Sequence, residues 1–218
     1  MANGTGAHLP RPLPVGAPAG APMASATITL VTGLPRSGTS MAMQMLAAGG
    51  CPPLADAVRG PDAANPWGYL EYTPVLRLHA ERGWLHLARG RALKVVAPLL
   101  PLLPLRAADG SALCYRAIVM HRDWEAVAAS QRRLLAYLGR AHQAEPEPLL
   151  VRGFRQDLEA ARRWLDRHAI PVLELDYGMT LDDPSASAAR LAALVPGLCA
   201  RGARAAVRRP GSAPKGAE

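Results

Sequence analysis

The stretch "TITLVTGLPRSGTS", Thr27–Ser40, decides the fold. Its first half, "TITLVT", is a short β-branched and apolar run that reads as a buried strand. "GLPRSGTS" follows, and then "MAMQMLAAGG" places Met41, Met45 and Leu46 at helical spacing before the stop signal of Gly49 and Gly50. A glycine-bearing turn between strand and helix aims main-chain N–H groups at one point, at the positive end of the helix dipole. The pattern is close to the phosphate loop G-x-x-x-x-G-K-[ST], with one difference: Thr39 stands at the lysine position. The cation of this loop lies in its middle, at Arg36. A guanidinium grips phosphate or sulfate in bidentate fashion and suits an anion less charged than a triphosphate, one that needs no metal.

Outward from the loop, apolar strands alternate with helical patterns. "RALKVV" (91–96), "YRAIVMHR" (115–122) and "PVLELD" (171–176) read as strands. Residues 123–139, 148–168 and 183–195 read as helices, with Asp123 an N-cap and Pro184 in a first turn. Such alternation implies an α/β fold, a single domain with a mostly parallel sheet flanked by helices. Residues 1–26 hold 16 Ala, Pro or Gly, too few large apolar groups to offset chain entropy, and are expected to be a disordered arm. Residues 27–199 form the expected domain and 200–218 a disordered basic tail.

The net charge is +8, of which residues 201–218 supply +4 and residues 27–200 only +3. A dense basic stripe with interleaved aromatics is missing from the folded part, which argues against nucleic acid. Cys51, Cys114 and Cys199 are too scattered for a metal site or a disulfide framework. No secretory leader or membrane-spanning run is legible, so the expected location is cytoplasmic. Arginine outnumbers lysine 23 to 2, which leaves Lys94 as the sole lysine between residues 27 and 200.

Four segments together resemble the sulfotransferase family that uses 3′-phosphoadenosine 5′-phosphosulfate (PAPS). "PRSGTS" resembles its 5′-phosphosulfate loop in the arginine-bearing version, which implies that Arg36, Ser37, Gly38, Thr39 and Ser40 hold the phosphosulfate end. "YRAIVMHRDWEAVAASQRRLL" resembles its 3′-phosphate segment, with Arg122 and Ser130 as the binding pair. "LKVVAPLLPLLP" is similar to the strand and proline loop that opens on a catalytic lysine, here Lys94. Val95 and Val96 stand where the cytosolic branch has a histidine base. "LELDYGMTLDDPSASAARLAALV" resembles the C-terminal strand, tyrosine turn and helix. The resemblance implies a P-loop-like sulfotransferase architecture, PAPS as cofactor without a metal, and a small-molecule or peptide acceptor.

The acceptor must lose a proton as it attacks, and a carboxylate or histidine within hydrogen-bond reach does this. "ANPWGYLEY" (64–72) resembles a segment of small bacterial members and offers Glu71, with Trp67, Tyr69 and Tyr72 as pocket walls. The competing role for Glu71 is to cap the turn at Thr73, and Asp56, Asp62 and His79 are rival bases. Arg208 and Arg209 are read as solvated tail, not as part of the cofactor site. Two other functions compete with sulfuryl transfer: a small-molecule kinase with an unusual loop, and a nucleotide-binding module without catalysis. "HRD" at 121–123 also suggests a protein-kinase loop, but Ala128 stands where that motif requires asparagine.

Overall fold

The run that opens the loop is the most deeply buried strand. All six residues of β1 (Ile28–Gly33) are buried in this computed structural model, which describes residues 26–62, 65–143 and 146–209. Burial on both faces is what a continuous apolar strand in a parallel sheet requires. The sheet has four strands in the order β2-β1-β3-β4, where β2 is Ala92–Lys94, β3 is Tyr115–His121 and β4 is Val172–Asp176. Every pairing is parallel, with Val31 opposite Lys94 and Ile118, and His121 opposite Asp176. β2 is shorter than the expected 91–96, because the chain leaves the ladder after Lys94 for a 3-10 turn at Ala97–Leu102 that has Pro98 in its first turn.

The period-2 alternation of β1 and β3 divides the core in two. Ile28, Leu30, Ala117 and Val119 meet Trp164 and Leu165 of α3 (Glu147–Arg167) on one face. Val31, Ile118 and Met120 meet Met43, Met45 and Leu46 of α1 (Thr39–Ala48) on the other, with Leu191 of α5 (Pro184–Leu194). Three helices start on aspartate caps. Asp123 accepts from Ala126 N at the start of α2 (Trp124–Tyr137), and Asp176 from Met179 N at α4 (Tyr177–Asp182). Asp183 accepts from Ser185 N and Ala186 N at α5. Each cap satisfies main-chain donors that a helix leaves open, a contribution of about 1 kcal/mol.

The chain past residue 199 departs from the expected disordered tail. Ala200–Ala205 form a helix, α6, that packs on α1. Ala203 is fully buried, and Ala206 and Val207 pack against the same core. Gly202 lies so close to α1 that a Cβ there would run into the carbonyl oxygen of Ala48. The small residues that suggested a flexible tail are what allow this approach. The expected arm, apart from Ala26, and residues 210–218 lie outside the described residues. Among the described residues, no helix is long and apolar enough to cross a membrane.

Candidate functional site

In an order of β2-β1-β3-β4, the connections from β1 and β3 leave in opposite directions. Open α/β sheets bind ligands at such a switch, outside the carboxyl ends of the strands. A cleft of about 660 Å³ lies there, within the range of small-molecule sites. All four strands feed it. β1 delivers the loop, β2 delivers Lys94, β3 delivers Arg122, and β4 delivers Tyr177.

The loop geometry depends on two glycines. Gly33 has φ 139° and Gly38 φ 104°, in the region that favours glycine. A Cβ on Gly33 would lie 2.6 Å from the Met120 carbonyl oxygen, and one on Gly38 would lie 2.5 Å from Tyr177 Cδ2. Arg36 between them is also left-handed, at φ 72°, which costs a non-glycine residue on the order of 1 kcal/mol or more. Both parts of Arg36 are held in that conformation. Its Nε donates to Ser130 Oγ at 3.0 Å, and its carbonyl accepts from Arg122 Nη1 at 3.1 Å. The Arg122 guanidinium in turn lies 4.5 Å over the Tyr177 ring. Residues 86 and 94 positions apart are thus joined around one concave point, beside the first turn of α1 whose N–H groups lack helical partners.

Lys94 closes the opposite wall. Its side chain is 5% exposed, and its three donors are all engaged: Ser40 Oγ at 3.1 Å, the Tyr69 carbonyl at 3.1 Å and Glu71 Oε1 at 2.9 Å. Burial pushes its pKa below the ordinary lysine range, opposed by the charge and hydrogen bond of Glu71. The other oxygen of Glu71 meets Arg59 Nη1 at 3.4 Å, and Arg59 lies 3.5 Å over the Tyr69 ring. Burial and a hydrogen bond to Asp62 raise the pKa of the Tyr69 hydroxyl, which donates to that carboxylate at 2.9 Å.

Eight of the nine residues singled out from the sequence line the cleft: Arg36, Gly38, Thr39, Ser40, Glu71, Lys94, Arg122 and Ser130. Ser37 does not. Its hydroxyl and its N–H both donate to the Leu34 carbonyl, at 2.8 and 3.1 Å, so it shapes the loop from within. Among the rival bases, Asp56 takes the capping role expected for Glu71. It accepts from Thr73 N at 2.6 Å, which leaves both Glu71 oxygens to the cations. Asp62 is engaged with Tyr69, and His79 is exposed and outside the cleft. Sequence reading missed Arg59 and Tyr177, and Arg208 and Arg209, read as solvated tail, line the cleft as well. Tyr177 directly follows a strand end, a position that topology alone marks as ligand-facing. Arg208 reaches the cleft because α6 folds back, and its guanidinium lies 5.3 Å from the Trp67 ring centre.

The lining carries seven basic side chains against one acidic one, Glu71. The fold and the cleft define a class: an open parallel α/β sheet with a cleft of basic surplus at its switch point. Neither the family models nor the curated proteins compared with the chain give a match.

Proposed function

We propose that the protein is a sulfotransferase that moves a sulfuryl group from PAPS to an acceptor hydroxyl or amine by direct in-line displacement. The observation that carries this reading is the junction of Arg36, Ser130 and Arg122, opposite a buried lysine. It offers two adjacent anion sites, one at the loop and one at the β3–α2 turn, and these suit a nucleotide phosphorylated at both ends. The cleft volume and its basic surplus fit a ligand of that size and charge.

PAPS supplies an activated sulfuryl group. The first turn of α1, with Arg36, Thr39 and Ser40, holds its 5′-phosphosulfate end, while Arg122 and Ser130 hold the 3′-phosphate. Glu71 takes the acceptor proton as the acceptor lone pair forms the new bond to sulfur. The pair of electrons from the breaking sulfur–oxygen bond stays on the bridging oxygen, and Lys94 offsets that charge. An ammonium in a water-poor site is effective there because its charge is already in position. The two roles are linked through the ion pair. Lys94 has no spare proton to donate while Glu71 is ionised. Protonation of Glu71 weakens its hold and frees a Lys94 proton for the leaving oxygen.

Thermal denaturation with 3′,5′-ADP, AMP, ATP–Mg²⁺ and PAPS tests the reading. At a hundred times its dissociation constant, 3′,5′-ADP should stabilise by about 2.7 kcal/mol without Mg²⁺. For a chain of this size that is a shift of about 5–10 °C. AMP should shift the midpoint far less. Equal shifts from AMP and 3′,5′-ADP would remove the 3′-phosphate site from the reading, and stabilisation by ATP–Mg²⁺ alone would favour a kinase.

A further inference from the structure

The basic surplus of the cleft does not end at its rim. Of the seven cations, Lys94 and Arg59 share the charge of Glu71, and Arg209 lies 3.7 Å from Asp182. Arg36 and Arg122 are assigned to the nucleotide under the proposed function, on which this inference rests. Arg133, exposed on α2, and Arg208 remain, and Arg208 belongs to two hollows. Besides the cleft it lines an adjoining depression of about 290 Å³, together with Arg201, Arg204, Ala205 and Val207. Arg201 and Arg204 project from successive turns of α6, about 4.5 Å apart along the helix axis. Both are exposed, and among the described residues neither side chain forms a hydrogen bond or an ion pair.

A lone exposed arginine is ordinary; this arrangement differs in continuity and in support. α6 is anchored through Ala203 and the close approach of Gly202 to α1, so its arginines are carried on a fixed element. Arg208 is steadied by Trp67, a residue of the segment that also carries Glu71. The track therefore starts beside the candidate base and leads away from the nucleotide loop. Guanidinium forks match carboxylate geometry, and several in a row favour a ligand with several carboxylates.

We infer that Arg201, Arg204 and Arg208 form an acceptor subsite, and that the acceptor is a polycarboxylate whose charged flank lies along α6. Its reacting hydroxyl or amine then lies within reach of the Glu71 carboxylate. Arginine positions chosen only for solubility would show no preference for this face over any other.

Fluorescence anisotropy of a fluorescein-labelled hexaglutamate peptide, on the full chain at about 50 mM salt, reads the subsite directly. The double variant Arg201→Gln/Arg204→Gln should weaken binding about threefold to tenfold, the scale for two exposed charge contacts, and the difference should shrink at higher salt. Arg152→Gln/Arg155→Gln removes the same charge from the exposed face of α3 and should change binding less than twofold. Saturating 3′,5′-ADP should leave peptide binding within twofold of its value alone. Equal weakening by both double variants, displacement of the peptide by 3′,5′-ADP, or no binding to the unaltered chain would overturn the inference. If 3′,5′-ADP itself does not bind, the proposed function fails, and the comparison of the two double variants still decides the subsite. Thermal midpoints of both variants establish that they are folded.

Discussion

Replacing Glu71 with glutamine isolates the charge that faces Lys94, because the amide oxygen can still accept a hydrogen bond. At the observed 2.9 Å, two unit charges interact by about 6 kcal/mol at an effective dielectric constant of 20. That is an upper figure, since the Glu71 side chain is 35% exposed and water screens it. The expected loss lies between an exposed pair and a fully buried one, at about 1–2 kcal/mol, or about 2–8 °C at the thermal midpoint. The pH dependence carries the sign. Burial depresses the folded-state pKa of Lys94 below its ordinary 10.5, so stability from this group is gained as pH rises toward 10.5 and lost as pH falls through the folded pKa. Glu71→Gln removes the partner that raises that pKa and depresses it further. The deficit of the variant should therefore be full where Lys94 is charged in both proteins and fade as pH rises through the Lys94 titration, where the amine has no charge left to stabilise. Urea denaturation across that range measures it, with the same substitution made on a Lys94→Met background. There it should cost less than about 0.5 kcal/mol, because the coupled charge has gone. An equal cost on both backgrounds, or a deficit that persists to pH 10.5, would refute the assignment of Glu71 as the partner that keeps Lys94 charged.

Other outcomes follow from the same geometry. Arg122→Ala should weaken 3′,5′-ADP by about 1.5–3 kcal/mol in titration calorimetry and leave AMP nearly unchanged, whereas equal losses would make Arg122 only an anchor for the loop. Lys94→Met should lower turnover by on the order of 10²–10³ with little change in nucleotide affinity, and rate and dissociation constant measured on one preparation separate the two. Gly38→Ala forces a side chain into φ 104° and against Tyr177, and should destabilise by about 1–3 kcal/mol in urea. Adding Tyr177→Ala relieves the contact but not the backbone strain, so only part of that loss should return.

The strands and long helices were legible because each has one dominant pattern. β1 and β3 are almost wholly buried runs dominated by β-branched and apolar residues, and α3 carries a clean amphipathic stripe from Phe154 through Ala161 to Leu165. The segment from Thr73 to Leu102 was harder. Prolines at 74, 98 and 101 divide it into 3-10 turns, whose side chains repeat too briefly for a helical period to emerge. α6 is masked in the sequence because its charge and small residues have the composition of a solvated tail. Ala200, Ala203 and Val207 recur at helical intervals, a signal present in the sequence but carried by residues that bury little area each. The loop residues, Lys94 and Arg122 were legible since strand ends fix where they emerge. Arg59 was not, because its place depends on an aromatic ring and a carboxylate that meet it only after the chain from 52 to 72 has wrapped around β2.

The hydrogen bond from Arg122 to the Arg36 carbonyl gives the cleft a mechanical property that neither residue has alone. The strained peptide of the loop is fastened to the turn after a different strand, so the two anion sites proposed above would be ordered together. An anion that settles the Arg122 fork also fixes the carbonyl beneath it, and the entropy of ordering that peptide is spent once for both sites. If the proposed sites hold a nucleotide and a phosphate, the two should therefore bind more tightly together than apart. The joint is where sequence separation becomes thermodynamic coupling.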